Sequence, residues 1–241
     1  MTWIERSFPL FQELSKEEKE GFLSHLKILV WEKDWIGAQG FELGEQEKVK
    51  IAIQGARIAR GLPLSIFSGL KEWVIYEGDF VVPEEDFEEV ATQGQAHHFG
   101  TVVLSWEAVL EGIEYPCMGF QPVHHELAHI LDLTTGVFNG TPLLEDGGNY
   151  ESWTRVFQQY FEEIRANPEE SFLDLYGAQD EAEFFAVATE AFFSVPDHIK
   201  KQAPELYEEL VRYYGVKPRA IACCCEEETS VASSFCVRSE G

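Results

Sequence analysis

The run His125-Glu126-Leu127-Ala128-His129 constrains this chain more than any other stretch. It lies among Val123, Ile130, Leu131 and Leu133, an apolar setting with helical spacing, so Val123 to Leu133 reads as a short helix. Side chains four apart on a helix stand one above the other on the same face. The two imidazoles are therefore placed to share one metal ion. Glu126, next to the first histidine, is aimed at a water on that ion rather than at the ion itself.

This H-E-x-x-H spacing is the signature of zinc hydrolases. A catalytic zinc takes three protein ligands and keeps one position open. His125 and His129 supply two, and Glu126 is the candidate general base that later returns the proton to a leaving amine. A third histidine six residues on would complete the metzincin pattern, but Thr135 stands there. The remaining ligand must come from elsewhere, with a carboxylate of a later helix as the best source. Two candidates lie in the apolar run from Glu181 to Phe193: Glu183 and Glu190, seven apart and so on one helical face. Each reads equally as a solvated glutamate, and Glu190 also as an acid that orients a histidine.

Composition narrows the partners. The chain has 241 residues, enough for one substantial core or a core with a small appended unit. Its formal charge of −25 disfavours direct contact with nucleic acid or anionic membranes, where clustered Lys and Arg are needed. The N-terminal residues lack the pattern of a secretory signal, and no segment approaches the roughly 18 apolar residues of a membrane span. Of five cysteines, Cys117 stands alone and four crowd the C-terminus, which does not suggest a disulfide framework. A cytoplasmic setting is expected.

Helices dominate the rest. Ser15 with Glu18 forms a capping-box pattern ahead of Phe22, Leu23, Leu26, Ile28 and Leu29. A second helix is expected over Gln46 to Arg60, ending at Gly61-Leu62-Pro63, with a turn at Gly37 to Phe41 between the two. Trp73 to Tyr76, Phe80 to Val82 and Thr101 to Leu104 read as strands. Strands among helices without regular βαβ alternation predict an α+β layout. Gly136 to Asn149 is loop. Further helices are expected at Tyr150 to Ala166, at Glu181 to Phe193 with Asp180 as N-cap, and at Pro204 to Tyr214. The division expected is an N-terminal helical portion (1–70) packed on a catalytic core (71–216), then a mobile acidic, Cys-rich tail (217–241).

Several stretches together resemble the Mlc titration factor A family of bacterial zinc metallopeptidases. They are Gly37 to Leu43, Val102 to Trp106, Val123 to Asp132, Asn139-Gly140-Thr141-Pro142, and Tyr176 to Phe193. The likeness extends to about Tyr214. It implies a zincin-like catalytic core related to the anthrax lethal factor protease, in which the third ligand is the glutamate seven residues after a tyrosine. On that basis the resemblance assigns one Zn2+ to His125, His129 and Glu183, and gives the Tyr176 hydroxyl the task of stabilising an oxyanion; a packed aromatic is the plain alternative for Tyr176. It further implies aminopeptidase-type activity on short peptides and a regulatory protein partner, the glucose-responsive repressor Mlc. A binding protein that sequesters such a repressor, with the zinc site secondary, is the competing function.

Other residues carry paired readings. Asp132 lies on the histidine face and is either a hydrogen-bond acceptor for a ligand or an ordinary helix residue. His124 points about 100° off that face and is structural or exposed. His97 and His98 read as loop residues. Thr101 to Leu104 is either an edge strand that pairs with substrate or a plain core strand. A thiolate of Cys223, Cys224 or Cys225 could fold back on the metal, against the plainer reading of an oxidation-prone tail.

Overall fold

The structure, a computed structural model, describes residues 3–82, 90–92, 94–96, 100–144 and 149–221. The N-terminal part holds α1 (Trp3–Ser7), α2 (Lys16–Trp31), β1 (Asp34–Gly37) and α3 (Glu45–Ala59). The strands β2 (Glu72–Tyr76), β3 (Phe80–Val82), β4 (Val90–Thr92), β5 (Gly94–Ala96) and β6 (Thr101–Ser105) follow. The remainder is helical: α4 (Trp106–Glu114), α5 (Pro122–Asp132), α6 (Tyr150–Ala166), α7 (Glu181–Ser194), α8 (Pro196–Gln202) and α9 (Pro204–Tyr214). None of the described helices is long and apolar enough to cross a membrane.

Four strands form one sheet in the order β1-β2-β6-β5, with β1, β2 and β6 parallel and β5 antiparallel to β6. A separate hairpin pairs β3 with β4. This mixed, helix-dominated layout with a small, mostly parallel sheet differs from the sequence expectation at one point and decides an alternative at another. First, β1, α3 and β2 make one βαβ crossover. Strand β1 is four residues long, too short for a period-2 pattern to stand out. Second, β6 is interior, hydrogen-bonded on both sides by β2 and β5, so of the two readings of Thr101 to Leu104 the core strand is the one that holds. The edge on that side is β5, which lies against α5.

Two helices run through the middle of the core. From Ile51 to Ala59, α3 is buried on every face, as is α7 from Phe184 to Ser194. A helix buried all round has no solvent side and must be enclosed, and α7 packs against α5, α6, α8 and α9. Phe184, Phe185, Phe192 and Phe193 are almost fully buried there. Trp153 of α6 stacks on Phe157 at 4.0 Å and meets Phe185 edge-on at 5.8 Å. The core cluster joins Leu29 and Ile51 from the N-terminal part to Trp73, Leu127 and Phe185.

Helix starts follow the caps read from the sequence. Ser15 Oγ accepts from Glu18 N–H at 3.1 Å, and the Glu18 carboxylate accepts from Ser15 N–H at 3.0 Å. Asp180 accepts from Glu183 N–H at 2.9 Å and opens α7. At the other end of the chain, the segment after α9 does not leave the body at Lys217. Arg219 donates to Glu13 at 2.6 Å, and Ile221 packs on the cluster of Phe8, Phe22, Ile53 and Ala56. Cys117 is disulfide-bonded, an exception to the absence of disulfides expected from cysteine spacing. His97, His98 and Cys223 to Cys225 lie outside the described residues.

Helices α2 and α3 cross closely at Gly21, where a Cβ would stand 2.1 Å from the Arg60 carbonyl oxygen. Alanine is the better helix former by about 1 kcal/mol, but the obstacle is backbone, and forcing a methyl into a packed contact costs about 1–3 kcal/mol. Gly21→Ala is therefore expected to lower the stability measured by urea unfolding. An unchanged or raised midpoint would contradict this helix crossing.

Candidate metal centre

The two histidines arrive on α5, whose first residue, Pro122, suits the N1 position with its fixed φ and missing N–H. His125 and His129 sit one turn apart with ring centroids 5.0 Å apart. Glu183 comes from the first turn of α7. Its Oε2 lies 2.9 Å from His125 Nε2 and 3.5 Å from His129 Nε2. Among the described residues these three form the one group whose ligand-type atoms all lie within 4.8 Å of one another. The pair of histidines lowers the Glu183 carboxyl to about 2 even though burial opposes this, so it is ionised at neutral pH.

Glu190, two turns along α7, reaches the other side of His125. Its Oε1 is 2.7 Å from His125 Nδ1, and its Oε2 accepts from the Gln121 backbone N–H at 2.6 Å. One carboxylate thereby grips both the start of α5 and the far nitrogen of a histidine whose Nε2 faces Glu183. This arrangement leaves Nε2 as the nitrogen available to a metal and sets the ring's tautomer and plane. Burial disfavours a charge on His125, but the Glu183 and Glu190 carboxylates outweigh it and raise its pKa well above the ordinary value.

Glu126 is 4% exposed, and its Oε2 is buried without a hydrogen-bond partner. Burial pushes its carboxyl up to about 7, against the attraction of His125 and His129. A buried acceptor left unsatisfied costs about 1–3 kcal/mol. Tyr176, in the short helical turn Leu175–Ala178, is 47% exposed, and its ring centroid lies 5.8 Å from that of His125. Asp174 holds the turn by accepting from Tyr176 N–H at 2.9 Å. Phe138 meets the His129 ring edge-on at 5.9 Å.

The structure separates the remaining acids and histidines. Asp132 does neither of the things expected of it. Its carboxylate accepts three backbone N–H groups at 2.8 Å each, from Asn139, Gly140 and Thr141. Gly140 is positioned further by Trp153, whose Nε1–H donates to its carbonyl at 3.1 Å. With φ +69° and a would-be Cβ 2.3 Å from the Glu181 carbonyl oxygen, Gly140 admits no side chain. The Asn139–Thr141 loop is thus threaded between the end of α5 and the start of α7, beside the carboxylate that faces both histidines. No pattern in the sequence links Asp132 to amides seven to nine residues on. His124 is fully buried, edge-on to Phe193 at 5.6 Å, and burial followed by Arg57 keeps it neutral.

Comparison with known proteins agrees with this chemistry. The profile of the glucose-regulated metallo-peptidase M90 family matches residues 1–215. A Synechocystis protein named uncharacterized protein slr2042 is 27% identical over 224 residues, covering 87% of this chain and 81% of that one. Proteins named Mlc titration factor A are similar to it as well: that of Escherichia fergusonii is 29% identical over 225 residues, 88% of this chain and 84% of its own length. That of Escherichia coli O9:H4 is 28% identical over 232 residues, 90% and 87% of the two chains. The chain belongs to the glucose-regulated metallo-peptidase M90 family.

Proposed function

We propose that this protein is a cytoplasmic, zinc-dependent peptidase with a zincin-like core, in which His125, His129 and Glu183 hold the metal. The observation that carries this reading is the convergence of three donor atoms beside a buried, unpartnered carboxylate oxygen. The Glu183 oxygen stands 2.9 and 3.5 Å from the two Nε2 atoms. Ligand atoms around a tetrahedral zinc, bonded at roughly 2.0–2.1 Å, stand about 3.3 Å apart. Two neutral imidazoles and one carboxylate are also the donor set of catalytic rather than structural zinc.

The metal, when bound, would supply Lewis acidity toward water and the substrate carbonyl. Glu126 takes the proton of the attacking water at its free Oε2 and then delivers it to the leaving amine; a carboxyl near 7 suits both transfers. Tyr176 stabilises the oxyanion with its hydroxyl, a role supported by its place beside His125. Glu190 keeps His125 in the tautomer that presents Nε2. Backbone pairing with substrate, one of the two readings of Thr101–Leu104, falls instead to β5, the last strand of the sheet on the side of α5. Aminopeptidase-type action on short peptides rests on the family resemblance.

The name Mlc titration factor A, borne by relatives, supports a second reading in which this chain binds a repressor protein and the metal site is secondary. Glu126→Gln separates the two, because it removes the base and leaves the ligands in place. We expect peptide hydrolysis to fall by about 10²–10⁴-fold while metal content stays near one per chain. A Glu126→Gln protein that still hydrolyses peptides at the original rate would defeat the peptidase mechanism, and one that cleaves nothing yet still relieves repression would favour the binding function.

Two further substitutions grade the ligand set. Glu183→Ala should abolish stoichiometric metal binding in elemental analysis. Glu190→Gln keeps the hydrogen-bonding shape but weakens the grip on His125, and metal affinity or activity should drop about 10–100-fold. Metal lost with Glu190→Gln and retained with Glu183→Ala would exchange their roles. Tyr176→Phe is expected to lower kcat by about 10²–10³-fold, the scale seen for one oxyanion donor, with metal content unchanged.

A further inference from the structure

A second concentration of buried charge lies elsewhere, in a cavity of about 70 Å³ where the segment after α1, the first turn of α2, the end of α3, the end of α7 and the stretch beyond α9 meet. Four cations line it, Arg57, Arg60, Lys217 and Arg219, against the carboxylates of Glu13 and Glu18. Two of the cations are answered: Arg60 pairs with Glu18 at 3.2 Å and Arg219 with Glu13 at 2.6 Å. Arg57 is 4% exposed and meets neutral groups, donating to the Gln54 side-chain oxygen and to the Phe193 carbonyl at 3.4 Å, with the Phe8 ring 5.1 Å away. Among the described residues, neither Arg57 nor Lys217 has a carboxylate within ion-pair distance. A buried cation without a counter-charge is costly. That cost is conspicuous in a chain that carries 43 Asp and Glu, none of which, among the described residues, pairs with Arg57.

We propose that this cavity is a binding site for a small oxyanion of the phosphate or carboxylate class, with Arg57 as the buried anchor and Lys217 at the rim. Planar guanidinium groups match both anions through paired N–H donors. The cavity holds several times the space of one water, which suits inorganic phosphate or a single carboxylate head. Burial and then Arg60 push the Arg57 pKa down to about 9, so it keeps its proton at neutral pH while lacking the partner that would stabilise it. The anion has two possible sources. One is a free solute; the other is the chain's own Glu226-Glu227-Glu228, which begins five residues past Ile221.

The test is titration of the full chain with inorganic phosphate by calorimetry, at ionic strength held constant with sodium chloride. It is run on the original sequence and on the triple variant Glu226→Gln, Glu227→Gln, Glu228→Gln. Saturable binding of one phosphate per chain is expected. Lys217→Gln with Arg219→Gln, both on exposed side chains that can change without disturbing the core, should weaken it about tenfold or more, a shift of about 1.4 kcal/mol. Arg57→Gln should abolish it, provided circular dichroism shows the fold intact. Binding seen only in the triple variant would also support the site and identify the tail carboxylates as its resident occupant. Absence of saturable binding in both backgrounds would overturn the proposal, as would binding that the Lys217 and Arg219 changes leave untouched. None of these readouts depends on the metal or on hydrolysis.

Discussion

The carboxylate of Glu190 is the contact on which the rest of the site depends. It is buried in α7, and its two oxygens close on the backbone N–H of Gln121 and on Nδ1 of His125. A hydrogen bond involving a charged group contributes about 1.5–3 kcal/mol, and here two of them fix where α5 begins and how its first histidine is turned. The same α7 backbone, two turns earlier, carries Glu183 to both histidines. Because one rigid helix supplies both acids, spacing along α7 sets the distance between the group that holds the ring and the group that faces its other nitrogen.

Rigidity of that helix in turn comes from the core. Around α7, Phe185 and Phe192 share one face, with Phe184 and Phe193 on either side of it, and all four are buried. Close packing of this kind leaves little room for rotation, so Glu183 and Glu190 stay aimed at α5. The Asn139–Thr141 loop adds a second brace, bound at one end to Asp132 of α5 and pressed at Gly140 against the start of α7. The candidate centre is thus built from buried helices with a braced loop, while Tyr176 stands on a half-exposed turn. With the proposed substrate-facing Tyr176 on the more open side and the candidate ligands on the rigid side, this is the division expected where binding must be reversible and geometry exact to fractions of an ångström.

The proposed oxyanion cavity bears on the same frame from the opposite end. Arg57 donates to the carbonyl of Phe193, in the last turn of α7, and its charge is felt at His124, the neighbour of the first candidate ligand. Arg57 of α3 thus bonds to one helix of the metal centre and acts on the other through its charge. Arg219 and Ile221 dock beside this region on the N-terminal helices.

The longer helices α2, α3, α5, α6, α7 and α9 were readable from the chain because their signals are local, whereas α1, α4 and α8 were not. The capping box at Ser15, the Asp180 cap, the apolar runs of α3 and α7 and the helical spacing of His125 and His129 all act within one or two turns. The pairing of Glu183 with those histidines was legible as a short set of candidates, since acids in an apolar helix need a partner. What the chain could not disclose were relations between segments distant in sequence: β1 beside β2, β6 enclosed by β5, Asp132 closing on loop amides, and Arg57 left among neutral acceptors. Local periodicity states which face of an element is buried. Which neighbour that face meets is decided only when the whole core packs, because hydrophobic burial is non-directional and hydrogen bonds then select among the arrangements it permits.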